Sequence, residues 1–460
     1  MAETTAETAA ETAADTAADR AKAAIRAVLD AEPDYVVDLC QRLVRIPSVN
    51  PKYPAGNDGW DIAGREAEVQ DVIEGELAPY GLSFRRWDAL PGRPNLVART
   101  EAGDPAKSLI LCGHIDVMPV GDPGEWSADP FGAVIRDGRM LGRGAVDMKA
   151  GVAACVAALR AVRKAGVTLD GQLALHAVVD EEAGGAGAKA AVAAGEVAAA
   201  AIIAEPSNGD IHVCQGALHW LRVTIRGRQG HSAHRFTGYW PQPEAKKTGA
   251  EPVSAADLAT RFLVALRDYE AAVTRAVGHP LMAPGVNQFN VGTVHIGAGM
   301  GPDGLPQIMN NPGIVPDVAV IDIDMKTMPQ ESTEEVRAAF EAFVAGFCAS
   351  DPWFKAHPIA VEWDLYGLYF PPMDTDPEHP LVRSITATRA AMGLGDTALV
   401  GSLGVTDGAH YAAGGVAALR YGPTGGGGHG ADEWVDVESI RRTTRIFAEA
   451  VIDFCGVKDE

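Results

Sequence analysis

Seven side chains of two types, imidazole and carboxylate, carry the chemistry: His114, Asp116, Asp147, Glu181, Glu182, Glu205 and His429. Imidazole plus carboxylate, without thiolate, is the ligand set of catalytic zinc, and two ions need a carboxylate that bridges them. Asp147 is the candidate bridge. Two ions about 3.5–4 Å apart can hold a hydroxide between them and polarise a carbonyl. Asp116, two residues from His114, can hold the imidazole in the tautomer that ligates a metal. Glu181, beside a ligand candidate, can take a proton from water and pass it to a leaving amine. Taken singly, each has an ordinary reading: a hydrogen-bonded histidine, a solvated Glu pair, an aspartate capping a helix, a histidine in a glycine-rich turn.

Their positions relative to the apolar runs change that reading. Residues 109–112, 173–179, 200–204 and 416–420 are short, apolar and partly β-branched, as buried strands are. His114 and Asp116 follow the first run, Glu181 and Glu182 the second, Glu205 the third, and His429 the fourth through a glycine-rich loop. Residues 149–164 show helical spacing through Val152, Val156, Leu159 and Val162, with Asp147 at the helix mouth. Strands alternating with helices predict an α/β sheet covered on both faces. In such a sheet ligands bind at the carboxyl ends of the strands, where these separated residues would meet.

The middle of the chain follows another pattern. Residues 220–226 and 318–325 alternate polar with apolar, as in a sheet with one wet face, and a helical stretch over 254–273 lies between them. This predicts a second, α+β domain inserted at about residue 218 and closed near 369, after a strand-like run at 359–365. Residues 232–251 read as a long loop containing Tyr239 and Trp240.

With 39 Lys plus Arg against 61 Asp plus Glu in 460 residues, the formal net charge is −22, which disfavours nucleic acid and anionic membrane surfaces as partners. No apolar stretch approaches the ~20 residues that span a bilayer. Six cysteines without a C-x-x-C pair argue against a disulfide scaffold and fit a reducing cytoplasm. Residues 1–30 begin as an acidic Ala/Thr-rich tail, expected to be disordered, with helical patterning setting in from about Ala21.

The run LILCGHIDVMPVGDPGEWSADPFGAVIRDGRMLGRGAVDMKAG resembles the signature of the zinc-dependent metallopeptidase and deacylase family of acetylornithine deacetylase, succinyl-diaminopimelate desuccinylase and carboxypeptidase G. AVVDEEAGGAGAK, IIAEPSN, GRQGHSAH and GHGADEWVDVESI resemble its later motifs, in order. The resemblance implies a zinc-exopeptidase-like catalytic domain (31–217 and 369–460), a mixed sheet flanked by helices. It also implies an inserted ferredoxin-like lid (218–368) through which a homodimer forms. It implies one ion on His114, Asp147 and Glu205 and another on Asp147, Glu182 and His429, with Asp116 orienting His114 and Glu181 as general acid/base. Zinc is the expected metal, with cobalt or manganese as alternatives. A cis peptide after Asp147 is also implied, as is a role for His231, reaching from one lid into the other chain's cleft to support the oxyanion. Gly427 and Gly428, in the run before His429, are expected to contact substrate.

The chain departs from the family pattern near the end of the lid, where Asp324, Lys326 and Pro329 stand for Asp-x-Arg-x-x-Pro. Lysine keeps the charge but loses the two-pronged fork, and Lys326 is the expected receptor of a substrate carboxylate. The expected function is cleavage of an N-acyl amino acid or peptide-like amide. A metal-dependent dipeptidase or aminopeptidase is the alternative. A non-catalytic binder of the same fold is disfavoured, because a binder has no need of Glu181.

Overall fold

The computed structural model describes residues 16–53, 64–238, 240 and 249–458. Its main sheet has nine strands. Four parallel strands form the centre: Gly171–Val178, Asp104–His114, Ala200–Ile203 and Ala417–Arg420, in that order across the sheet. They cover the four apolar runs identified in the sequence to within one residue at the ends of those runs, and Leu111, Leu175, Ile202 and Leu419 on them are all buried. Two strands the sequence pattern hid, Ser83–Leu90 and Arg93–Arg99, extend the sheet antiparallel on one side. Their arginines and an internal proline mask the period-two signal.

Helices Tyr35–Val44, Ala150–Lys164 and Val437–Cys455 pack together against the sheet, while Ala186–Ala193 and Gly408–Ala413 form a second group. Helix Ala150–Lys164 approaches unusually closely: a Cβ at Gly151 would lie 1.9 Å from the Ala204 carbonyl oxygen, so only glycine allows this packing. The contact holds the helix that follows Asp147 against the strand end that precedes Glu205.

The acidic tail ends earlier than expected. Residues 1–15 lie outside the described residues, but Ala17–Ala31 is a helix. Thr16 Oγ1 accepts from the Asp19 N–H and the Asp19 carboxylate accepts from the Thr16 N–H, both at 3.1 Å, closing a capping box. Ile25 is buried and Arg26 makes a two-pronged pair with buried Glu449 at 2.8 and 2.7 Å. Docking on the C-terminal helix, rather than the alanine-rich segment's own periodicity, orders these residues.

A second sheet lies within residues 218–370. Strands Leu218–Arg226, Phe289–Met300, Val318–Lys326 and Ala360–Trp363 with helices Ala255–Ala276 and Thr333–Ala349 follow the order βαββαβ. All pairings are antiparallel, and the strand order matches a ferredoxin-like sheet. Leu221, Val223, Ile225, Ile321 and Ile323 face the two helices over a separate core with Phe262 and Phe340. The opposite face carries the Arg222–Asp322 pair at 2.7 Å. Strand Tyr369–Phe370 still pairs with this sheet, so the chain returns to the main sheet at Met373–Asp374, a few residues beyond the expected boundary.

Candidate metal centre

Strand direction brings the ligand candidates together. His114 is the last residue of its strand, Glu205 follows Ile203 by two residues, and Glu181 and Glu182 open a turn after Val178. His429 is carried over the same end by a loop between two short strands, Gly425–Gly426 and Trp434–Asp436, of a separate four-stranded sheet. Asp147 lies between two imidazoles: Oδ1 is 3.2 Å from His114 Nε2 and Oδ2 is 3.3 Å from His429 Nε2. Glu205 Oε1 stands 3.3 Å from His114 Nε2, and Glu182 Oε2 stands 3.0 Å from His429 Nε2. These contacts define two groups sharing Asp147: His114, Asp147 and Glu205, and Asp147, Glu182 and His429. Glu181 Oε2, in neither group, lies 4.0 Å from His114 Nε2. The peptide between Asp147 and Met148 is cis.

A family model, Peptidase family M20/M25/M40, matches residues 110–453. The chain belongs to this family. It is similar to an N-formyl-4-amino-5-aminomethyl-2-methylpyrimidine deformylase of Bacillus subtilis, 29% identical over 85% of this chain and 90% of the relative. A succinyl-diaminopimelate desuccinylase of Thioalkalivibrio sulfidiphilus is 29% identical over 89% of this chain and 96% of its own. Among solved structures, a dinuclear metal binding peptidase from the M20 family of Bacillus subtilis aligns over 92% of this chain and 99% of its own, with a TM-score of 0.59 and 16% identity. This M20/M25/M40 member is a hydrolase of linear amide bonds, of the deacylase and peptidase type.

The donor set fits divalent cations. Burial, with the neighbouring Asp147 charge, pushes Glu182 up to about 7 and raises Glu205. Burial likewise holds Glu181 well above the usual carboxylate range, with the charges of Glu205 and Asp407 adding to it. His429 is pushed up to about 10 by its contacts with Asp147 and Glu182. So many buried carboxylates in one cleft repel one another, and a bound cation reverses that repulsion.

The tautomer of His114 is fixed differently from the expectation. Nδ1–H donates to the main-chain carbonyl of Asp116 at 2.9 Å, whereas the Asp116 carboxylate is 3.7 Å away. That carboxylate instead accepts from the backbone N–H groups of Glu181 and Glu182, at 3.2 and 3.3 Å, and from Asn50 Nδ2 at 2.7 Å. Asp116 thereby positions two carboxylates as well as one imidazole.

Sequence reasoning missed the residues that hold these loops. Buried Glu433 accepts from the N–H groups of Gly144, Val146 and Asp147 at 3.0–3.1 Å and from Arg143 at 2.6 Å. Arg143 in turn donates to the Gly430 carbonyl at 3.0 Å, beside His429. Behind the Glu181–Glu182 turn, buried Asp180 pairs with Arg93 at 2.7 Å and Lys52 at 2.6 Å. The proximity of Glu433 to His429 was the one available hint.

The remaining candidates sit elsewhere or at the rim. Gly428 passes over the centre, where a Cβ would lie 3.7 Å from Asp147 Oδ2, and Gly427 turns the loop with φ 74°. His231 is exposed on the two-residue strand Gly230–His231, its ring centroid 6.1 Å from that of His234. Lys326 ends its strand with Nζ 3.8 Å from Asp324 Oδ1. Neither belongs to the two groups around Asp147. Trp240 is exposed, and Tyr239 lies outside the described residues.

Proposed function

We propose that this chain is a two-metal amidohydrolase that cleaves the amide of an N-acyl amino acid or a related small, peptide-like substrate. The observation that carries this reading is the division of labour around Asp147. One carboxylate serves two groups of ligands, and Glu181 is left beside them for proton transfer. His114, Asp147 and Glu205 would hold one divalent ion, most simply zinc, and Asp147, Glu182 and His429 the other. When bound, such a pair supplies Lewis acidity to the substrate carbonyl and to the attacking water.

The chain's own residues supply the rest. Glu181, its affinity for a proton raised by burial, takes a proton from the water and delivers it to the departing amine nitrogen. Asp116 and Asp180 fix the turn that presents Glu181. The smaller α+β unit acts as a lid. His231, exposed on it, completes the site from a second copy of the chain by donating to the oxyanion. Lys326 receives a substrate carboxylate where one is present. The relatives' names, a deformylase and a desuccinylase, both describe removal of a small acyl group from an amine and favour deacylation over dipeptide cleavage.

The test is an assay of the purified protein, loaded with zinc, cobalt or manganese, against N-formyl, N-acetyl and N-succinyl amines and a set of dipeptides. Turnover of acylated amines ahead of dipeptides is expected. Hydrolysis confined to dipeptides with a free amine would assign the chain to the peptidase branch instead.

A further inference from the structure

A second cluster of ligating side chains lies away from the metal centre, where the smaller unit meets the main sheet. Cys214 and Asp374 are directly paired across the antiparallel strands Ile211–Gln215 and Met373–Asp374, so their side chains share a face. His279 comes from the other unit, in the segment between helix Ala255–Ala276 and strand Phe289–Met300. That segment is anchored on the main sheet. The Gly401 N–H donates to the Leu281 carbonyl at 2.8 Å, and Met282 is buried against Cys214 and Met328. Within the smaller unit, Gln330 donates to the Gly278 carbonyl at 2.8 Å.

The three side chains offer one ligand atom each within 4.8 Å of one another. Cys214 Sγ is 3.8 Å from His279 Nδ1, and His279 Nε2 is 3.6 Å from Asp374 Oδ1. Zinc–sulfur and zinc–nitrogen bonds of about 2.3 and 2.0 Å at tetrahedral angles put the two ligand atoms about 3.5 Å apart, so the Cys214–His279 separation is near that value, while the Asp374 contact is to the ring's other nitrogen. A single ion takes one ring nitrogen, and the mobile partner is Asp374. Its side chain is 43% exposed against 11% for His279, so it can swing to close the third ligand while solvent supplies the fourth. An ion on Nδ1 would replace the Leu281 N–H now 3.2 Å from that nitrogen.

We propose that Cys214, His279 and Asp374 form a third cation site, selective for a thiophilic divalent ion such as zinc or cobalt, that pins the smaller unit to the main sheet. The ligand chemistry separates it from the metal centre, whose two groups contain no sulfur. Burial holds the Cys214 thiol up at about 12, so the cation itself drives loss of the thiol proton to solvent as the metal–sulfur bond forms. The Leu281 N–H gives up its bond to Nδ1, Asp374 turns from Nε2 to the ion, and the ion releases water to solvent for each ligand it gains; no covalent bond other than the S–H is broken.

Cobalt(II) distinguishes the sites, because a thiolate ligand gives a near-ultraviolet charge-transfer band that nitrogen and oxygen ligands do not. Full-length wild type titrated with cobalt should bind three ions per chain and develop this band. Cys214→Ser and His279→Ala should bind two and lack the band, with native circular dichroism checking their fold. Asp374→Asn should keep the band at weaker cobalt affinity. Hydrogen exchange of residues 277–288 should slow on addition of the third equivalent in wild type and not in Cys214→Ser. A wild type that saturates without the band, or a band that survives Cys214→Ser, overturns the site. A band without slowed exchange overturns the pinning. The ion counts rest on the two-metal reading of the Asp147 centre, whereas the presence of the thiolate band and its loss in Cys214→Ser depend neither on that reading nor on hydrolytic activity.

Discussion

The strand ends of the main sheet and the smaller unit hold their candidate residues in opposite ways. Around Asp147 the loop and the turn that carry three of the carboxylates are braced from behind: Glu433 grips three backbone N–H groups of the Asp147 loop, and Asp116 grips the Glu181–Glu182 turn. On the smaller unit, His231 is exposed with a local contact to the Ala233 N–H, and Lys326 lies 3.8 Å from Asp324, two residues away. Preorganisation on one side and purely local contacts on the other is the division expected when one part carries the chemistry and the other meets the substrate late.

The largest effect should come from removing a brace. Glu433→Ala leaves Arg143 with an uncompensated buried charge, at a cost of roughly 3–5 kcal/mol, and frees the Asp147 loop. Calorimetry and metal analysis should show a lower melting temperature and loss of both ions together, since Asp147 serves both groups. Loss of one ion alone would break the picture of a single braced bridge.

The next effect belongs to the other region. His231→Ala should lower kcat by about 10²- to 10³-fold if its ring supports the oxyanion. If the chain pairs as proposed, refolding this variant together with inactive Glu181→Gln should restore about a quarter of wild-type activity, because random pairing makes half the dimers mixed and each holds one intact site. No recovery in a sample shown by mass spectrometry to contain mixed dimers would place His231 outside the partner's cleft.

A buried histidine of the main sheet gives a smaller, pH-dependent effect. Burial lowers His176 from 6.5 to about 4. Between those values the unfolded imidazole binds a proton and the native one does not, so His176 makes stability fall as pH drops from 6.5 towards 4. His176→Phe should flatten that part of a denaturation-versus-pH curve, whatever it does at pH 8. The smallest effect is expected at Lys326: its replacement by Ala should raise KM for a free-acid substrate by up to about tenfold with kcat little changed, and Lys326→Arg should be tolerated. Equal KM values for free-acid and carboxamide substrates in wild type would remove its role.

The same division explains what could be read from the sequence. His114, Glu182 and Glu205 were legible because each directly follows an apolar run, and a buried parallel strand announces where its carboxyl end lies. Asp147 and His429 stood out through a helix mouth and a glycine-rich loop. Glu433, Arg143, Asp180 and Arg93 were not legible: a charged residue that braces a loop has no periodicity, and only the folded chain shows which N–H groups it meets. Strand Phe289–Met300 escaped for a related reason, since its glycines and polar residues belong to a face that is partly wet. The orienting carbonyl of Asp116 lies beyond sequence reasoning altogether, because every residue has one.

The most direct test of the braced two-metal centre is metal content and turnover measured side by side in wild type and Glu181→Gln after reconstitution. The expected result is two ions per chain at the Asp147 centre in both, counted in a Cys214→Ser background, with turnover falling by roughly 10²- to 10⁴-fold in the Gln variant. Fewer than one ion per chain in that background, or near-normal turnover without the Glu181 carboxylate, would contradict it.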